Sequence, residues 1–263
     1  MTQAAGKRNV AADKRIALVT GGAGGIGAAI CQRLADDGFR VAVVDRNHDA
    51  ASAIAAQLPG SEHLALAADA TIEVQAAATF DAVERALGKV SVLVSGAGIL
   101  MLRPDGSRNM IADTDAAEWQ TTQDINVTGT FWYAREYARR LGDGVADGRV
   151  VTISSVAAQL GGYRSSASYI ASKSAIIGLT KALARELAPH RVTVNSVAPG
   201  LIDAPMLQLS LDPADDAKAS AQIPLGRLGT PQDVAGAVSF LVSKDASYIT
   251  GSVIDVNGGY RMQ

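Results

Sequence analysis

Two rhythms of apolar and polar residues alternate along this chain. Short, nearly continuous apolar runs rich in β-branched residues fall at 16–20, 40–45, 64–68, 90–95, 149–154, 191–198 and 252–256. Runs of this length, bounded by turn residues, predict strands buried on both faces. Between most of them lie segments with apolar residues at helical spacing, at 25–37, 48–58, 71–87, 125–141, 168–188 and 231–242. In 168–188, for example, Ile176, Leu179, Leu183 and Leu187 share one face while Lys181, Arg185 and Glu186 take others. Strands alternating with helices predict an α/β fold: a doubly wound parallel sheet of about seven strands with helices on both faces.

Composition adds boundaries to this picture. No break in composition marks a linker, so 14–263 reads as a single domain. Residues 1–13 read as a loose tail, Ala-rich and polar, without the apolar run of a signal peptide. Three stretches, 100–117, 156–168 and 201–222, leave the carboxyl edge of the sheet and read as substrate loops. A net charge of −2 gives no electrostatic case for nucleic acid or an anionic membrane, and no stretch reaches transmembrane length. The single cysteine, Cys31, excludes an intramolecular disulfide, reads as core packing and suits a reducing, cytoplasmic location. His48, His63 and His190 are scattered and read as surface residues, so no metal site is expected.

In open parallel sheets ligands bind at the carboxyl ends of the strands, and the chemistry-bearing residues of this chain fall there. After the first strand comes Gly21-Gly22-Ala23-Gly24-Gly25-Ile26-Gly27, then a helix. Strand, glycine turn and helix suit a pyrophosphate, which the backbone can approach closely and the helix N-terminus attracts. Two registers overlap: Gly22, Gly24 and Gly27, or Gly21, Gly25 and Gly27. Asp45 ends the second strand eighteen residues after Gly27, where an acid can accept hydrogen bonds from the adenosine ribose and repel a 2′-phosphate. This favours NAD over NADP, although Arg46 follows at once and can pair with a phosphate. Asp69 ends the third strand, Ser95-Gly96-Ala97-Gly98 the fourth, Ser155 the fifth and Pro199-Gly200 the sixth. Tyr169 and Lys173 stand four residues apart on a predicted helix, hence on one face about 5–6 Å apart at Cβ. An ammonium so close to a phenol favours the phenolate and makes the tyrosine a general acid or base, with Ser155 able to hold the reacting oxygen.

This combination, over about residues 14 to 260, resembles the short-chain dehydrogenase/reductase family. Thr20 to Gly27 resembles the family's T-G-x-x-x-G-x-G cofactor turn, which selects the register Gly21, Gly25 and Gly27, with Ile26 beside them. Asp69-Ala70 resembles its adenine-side aspartate, and Asn126 its catalytic asparagine. Ser155, Tyr169 and Lys173 match the catalytic serine and the Y-x-x-x-K pair, while Pro199-Gly200 matches a turn near the nicotinamide. Ile223–Arg227 and Gly251–Gly259 also look typical. Three departures stand out. The usual N-N-A-G reads Ser95-Gly96-Ala97-Gly98, which removes two amide side chains bracing strand four. Ala204 stands where a threonine often binds the carboxamide, leaving backbone near Ile202 for that task. Ser155 precedes Tyr169 by fourteen residues, one more than usual, which makes Ser154 a rival.

The resemblance implies a single-domain Rossmann-type fold and reversible NAD(H)-dependent hydride transfer between a secondary alcohol and a ketone. Tyr169 is then the acid/base; Lys173 tunes it and binds the nicotinamide ribose; Ser155 orients the substrate oxygen; Asn126 holds a water linking Lys173 to solvent. The runner-up is an NADP-dependent 3-oxoacyl-thioester (acyl-carrier-protein) reductase. A non-catalytic nucleotide sensor is a third reading, against which stands the complete set of four residues. The resemblance further implies a homotetramer built through the two long helices and the last strand. Tyr163, Gln159, Met206 and Leu207 are candidates for lining a moderately apolar substrate pocket.

Overall fold

The computed structural model describes residues 15–142, 147–209 and 211–263, so the expected tail over 1–13 lies outside the described residues. Seven strands form one parallel sheet in the order β3-β2-β1-β4-β5-β6-β7. They are β1 (Ile16–Thr20), β2 (Arg40–Asp45), β3 (Leu64–Ala67), β4 (Val90–Ser95), β5 (Arg149–Ile153), β6 (Thr193–Pro199) and β7 (Val253–Val256). The order reverses direction between β1 and β4. A crevice opens at such a switch point, outside the strand carboxyl ends.

Strand alternation supplies two cores. Ala17, Val19, Val41, Val43, Val92, Val94 and Val151 point to one face, against α1 (Gly25–Asp36) and α10 (Pro231–Val242). Ile16, Leu18, Ala42, Val44, Leu93 and Val150 point to the other. There they meet α3 (Glu73–Ala86), α5 (Gly129–Arg139) and α7 (Ala167–Leu187). Both faces are covered, which is why the strands read as unbroken apolar runs. Cys31 packs in the first core, its thiol pushed far up by burial. α2 (His48–Gln57) completes the helices expected around the sheet.

Most differences from expectation lie in or beside the loops 100–117, 156–168 and 201–222. The stretch 100–117 ends in a helix, α4 (Ala116–Gln123), capped by Asp115, whose carboxylate accepts from the Glu118 N–H. The helix expected over 125–141 opens with a π turn, Asp124–Thr128, and only then becomes α5. Short helices α6 (Ala157–Leu160), α8 (Pro205–Gln208) and α9 (Asp216–Ser220) shape the other two loops. His63 is half-buried rather than a plain surface residue. Its Nδ1 accepts the Val41 N–H at 3.2 Å, a donor that β3 is too short to pair. No helix among the described residues is long and apolar enough to cross a membrane.

Candidate active site

One cavity of about 720 Å³ runs along the carboxyl edge of the sheet. Gly21, Gly25, Ile26, Gly27, Asp45, Arg46, Asp69, Ala70, Ala97, Gly98, Ser155, Tyr169, Lys173, Pro199, Gly200 and Ile202 all line it. Asn126 alone of the expected set stands behind the wall, fully buried.

The glycine turn is closely packed at most of its glycines. Gly21 has φ +67°, and a Cβ on it would come 2.8 Å from the Ala97 nitrogen. A Cβ on Gly27 would lie 2.0 Å from the Gly21 carbonyl oxygen. A Cβ on Gly25 would sit 2.9 Å from Pro205, where the 201–222 loop crosses the turn. Gly24 would meet only the Gly21 oxygen at 3.4 Å, an ordinary contact. A Cβ on Gly22 would be as tight as one on Gly25, 2.9 Å from the Val43 side chain and 3.1 Å from the Val19 carbonyl oxygen. The start of α1 has no side-chain cap, so its first N–H groups are left for whatever occupies the cavity.

Asp45 accepts from the Ala23 N–H at 3.2 Å and the Asn47 N–H at 3.1 Å, which pins its carboxylate beside the glycine turn. Asp69 is held below the usual carboxylate range by hydrogen bonds from Thr71, with the Arg46 charge adding to the effect. The cavity therefore carries two carboxylates and one arginine at the end formed by β2 and β3. A cradle of close backbone at Gly21 and Gly27, uncapped N–H groups and a fixed carboxylate fits the phosphates and adenosine of a nicotinamide dinucleotide.

Where two amides are missing after β4, hydroxyls take their place. Thr20 Oγ1 accepts from the Gly96 N–H at 3.2 Å and the Ala97 N–H at 3.3 Å, and Ser95 donates to Thr130 at 3.2 Å. Asn126 bolts this segment to α7. Its Oδ1 accepts from the Ile99 N–H at 2.8 Å, and its Nδ2 donates to the Ile99 carbonyl at 3.0 Å and to Ser172 at 2.9 Å. The π turn places Asn126 there; such turns cluster at functional sites.

Tyr169 and Lys173 lie on the buried face of α7, at 8% and 4% exposure. The ammonium sits 5.9 Å from the phenol ring centre and donates to the Ile153 carbonyl at 2.9 Å. Burial brings its pKa down to about 8. The phenol is held above its ordinary value by burial, against a smaller lowering from the Ser155 hydroxyl. The sequence expectation that Lys173 depresses Tyr169 is thus not met in this arrangement: desolvation dominates, and the lysine is drawn toward Ile153. Ser155 Oγ accepts from the Ala157 N–H at 3.1 Å, while Ser154 spends its hydroxyl on the Lys173 carbonyl at 2.9 Å. Both serines line the cavity, but it is Ser155 whose hydroxyl lies beside Tyr169.

Tyr163, Met206 and Leu207 line the cavity, joined by Ile99, Leu100, Leu160 and Leu209, which the sequence did not single out. Gln159 does not; its oxygen accepts from Arg261 at 3.0 Å. Ala204 is buried against the glycine turn.

The family model described as Enoyl-(Acyl carrier protein) reductase matches residues 21–261. The 3-oxoacyl-[acyl-carrier-protein] reductase MabA of Mycobacterium tuberculosis is 40% identical over 94% of this chain and 93% of the relative. The (3R)-3-hydroxyacyl-CoA dehydrogenase of Mus musculus is 37% identical over 94% and 96%. The 3-oxoacyl-[acyl-carrier-protein] reductase FabG of Escherichia coli is 36% identical over 94% and 98%. Among solved structures, a short-chain dehydrogenase/reductase (glucose/ribitol dehydrogenase) from Brucella melitensis superposes with a TM-score of 0.86 at 36% identity, covering 95% of this chain and 97% of that one. With this sheet order, this cavity and these relatives, the chain is an oxidoreductase with a Rossmann-type fold and belongs to the short-chain dehydrogenase/reductase family.

Proposed function

We propose that this protein interconverts a secondary alcohol and a ketone with NAD(H), Tyr169 being the general acid/base. The observation that carries the reading is the meeting of Tyr169, Lys173 and Ser155 on one wall of a cavity that also holds Asp45 and the glycine turn. Gly21, Gly25, Ile26, Gly27, Asp45, Asp69, Ala70, Ala97, Gly98, Pro199, Gly200 and Ile202 would hold the dinucleotide. When bound, its nicotinamide accepts or supplies the hydride. Ser155 holds the substrate oxygen by a hydrogen bond and stabilises charge on it. Tyr169 takes the hydroxyl proton in oxidation and returns it in reduction. Lys173, brought to about 8, can both carry and release a proton near neutral pH, which suits a relay behind Tyr169. Asn126 keeps Ile99 and Ser172 in register around that lysine.

Asp45 supports NAD over NADP because a fixed carboxylate repels a 2′-phosphate. The second reading, reduction of 3-oxoacyl thioesters, is favoured by the names of the relatives from M. tuberculosis and E. coli. Steady-state rates with NADH and NADPH on acetoacetyl-CoA, beside NAD⁺ on a panel of secondary alcohols, separate the two. NADH preference with turnover lost in Tyr169→Phe supports the proposal; NADPH preference overturns the cofactor choice. The homotetramer belongs to the same reading. Exposed Trp119 and Phe131, on and beside the long helices, are available to an interface, and light scattering reads the assembly directly.

A further inference from the structure

Glu118 is a buried carboxylate, 5% exposed, that the chemistry above does not use. Its Oε1 accepts from the Ser168 hydroxyl at 2.8 Å and its Oε2 from the Asn109 amide. Neither partner carries charge. A buried carboxylate of this kind needs another source of compensation. The first turn of α7 supplies one. Ser166, the N-cap, gives that helix no side-chain cap, and Ser168 is its second residue. The carboxylate therefore lies by the positive end of the helix dipole. Gln123 adds a second tie by donating to the Ser168 carbonyl at 3.1 Å. Tyr169 is the next residue.

The other end of the network reaches the substrate loops. Asn109 Oδ1 accepts from Arg103 at 2.6 Å. Arg108, the neighbour of Asn109, donates to the carbonyls of Gly162 at 3.1 Å and Ser165 at 3.2 Å on the second loop. Gly106 lies so close to the third loop that a Cβ would come 2.9 Å from the Leu209 carbonyl oxygen. The segment 103–109 thus touches both other loops and, through Glu118, the residue preceding Tyr169.

We infer that Glu118 is a positioning residue, which fixes the first turn of α7, and with it the Tyr169 hydroxyl, against the substrate loops through Ser168 and Asn109. The inference rests on the role given to Tyr169 above. Displacing a reacting group by about 1 Å costs on the order of 10²-fold in rate, so a tether of this kind acts on turnover more than on binding.

The test uses the full chain labelled with ¹³Cζ-tyrosine, in wild type, Glu118→Ala, Ser168→Ala and Glu118→Gln, with Tyr169→Phe to assign the resonance. Each protein is titrated by NMR and assayed with acetoacetyl-CoA and NADH. In Glu118→Ala and Ser168→Ala the first turn loosens and hydrates, so the Tyr169 titration moves down toward the ordinary value of about 10. In the same variants kcat falls about 10- to 10²-fold, with the KM for NADH within about twofold of wild type. Glu118→Gln keeps an acceptor for Ser168 but turns its amide toward the Asn109 donor, so it retains one of the two ties and falls between wild type and Glu118→Ala. The two alanine effects do not add in the double variant, as expected of members of one network. An unshifted Tyr169 titration in both alanine variants overturns the inference whether or not the thioester turns over. Should Glu118→Ala fail to fold, Ser168→Ala, which removes a single hydroxyl, decides alone. Full turnover in Tyr169→Phe defeats the role of Tyr169 itself and is read separately from the coupling.

Discussion

Replacing Lys173 by methionine tests whether the protein pays to keep an ammonium in its interior. Lys173 is 4% exposed, and burial lowers its pKa from 10.5 to about 8. The sign follows from proton counting. Between about 8 and about 10.5 the unfolded chain binds more protons at this site than the folded one, so stability rises with pH across that window. Below it the folded protein carries the full cost of the buried charge, of the order of 3 kcal/mol at 1.36 kcal/mol per pKa unit. Methionine removes this cost but leaves the Ile153 carbonyl without its 2.9 Å donor, a loss that does not depend on pH. The useful quantity is therefore the change in the stability gap between the two proteins. Wild type should gain about 2 kcal/mol on Lys173→Met as pH goes from about 7 to about 9.5, below the titration of Tyr169. Urea denaturation of both proteins at several pH values measures it. A gap that stays constant with pH would refute the reasoning.

Two further predictions concern the cofactor end. Gly27→Ala forces a Cβ against the Gly21 carbonyl and should lose about 1–3 kcal/mol of stability together with most NADH affinity, read by thermal melting and fluorescence titration. Gly24→Ala should be tolerated in both. Asp45→Ala should raise NADPH affinity relative to NADH by about tenfold or more, since a like-charge contact costs several kcal/mol; an unchanged ratio would remove Asp45 from the account of specificity.

Much of this architecture was legible in the chain. The apolar runs gave every strand of the sheet to within a few residues, because both faces are covered and alternation is suppressed. The helix α4 was not legible from periodicity. Its buried residues are Glu118 and Thr122, so it shows no apolar stripe. The spacing of Asp115 and Glu118 was the available signal, an N-cap with an acid three residues on. The π turn at Asn126 has no period of its own to read. The pairing of Tyr169 with Lys173 was visible as spacing, but the direction of the tyrosine shift was not. That direction depends on desolvation, and on Ile153 as the lysine's partner, which only the packed structure brings together.

The most direct test of the central claim is the rate of NADH formation or consumption in wild type and Tyr169→Phe, on whichever alcohol or ketone the panel identifies, with NADH binding measured on both. The account predicts a fall in kcat of at least about 10²–10⁴ with NADH affinity preserved. Near-normal turnover in the phenylalanine variant would contradict it.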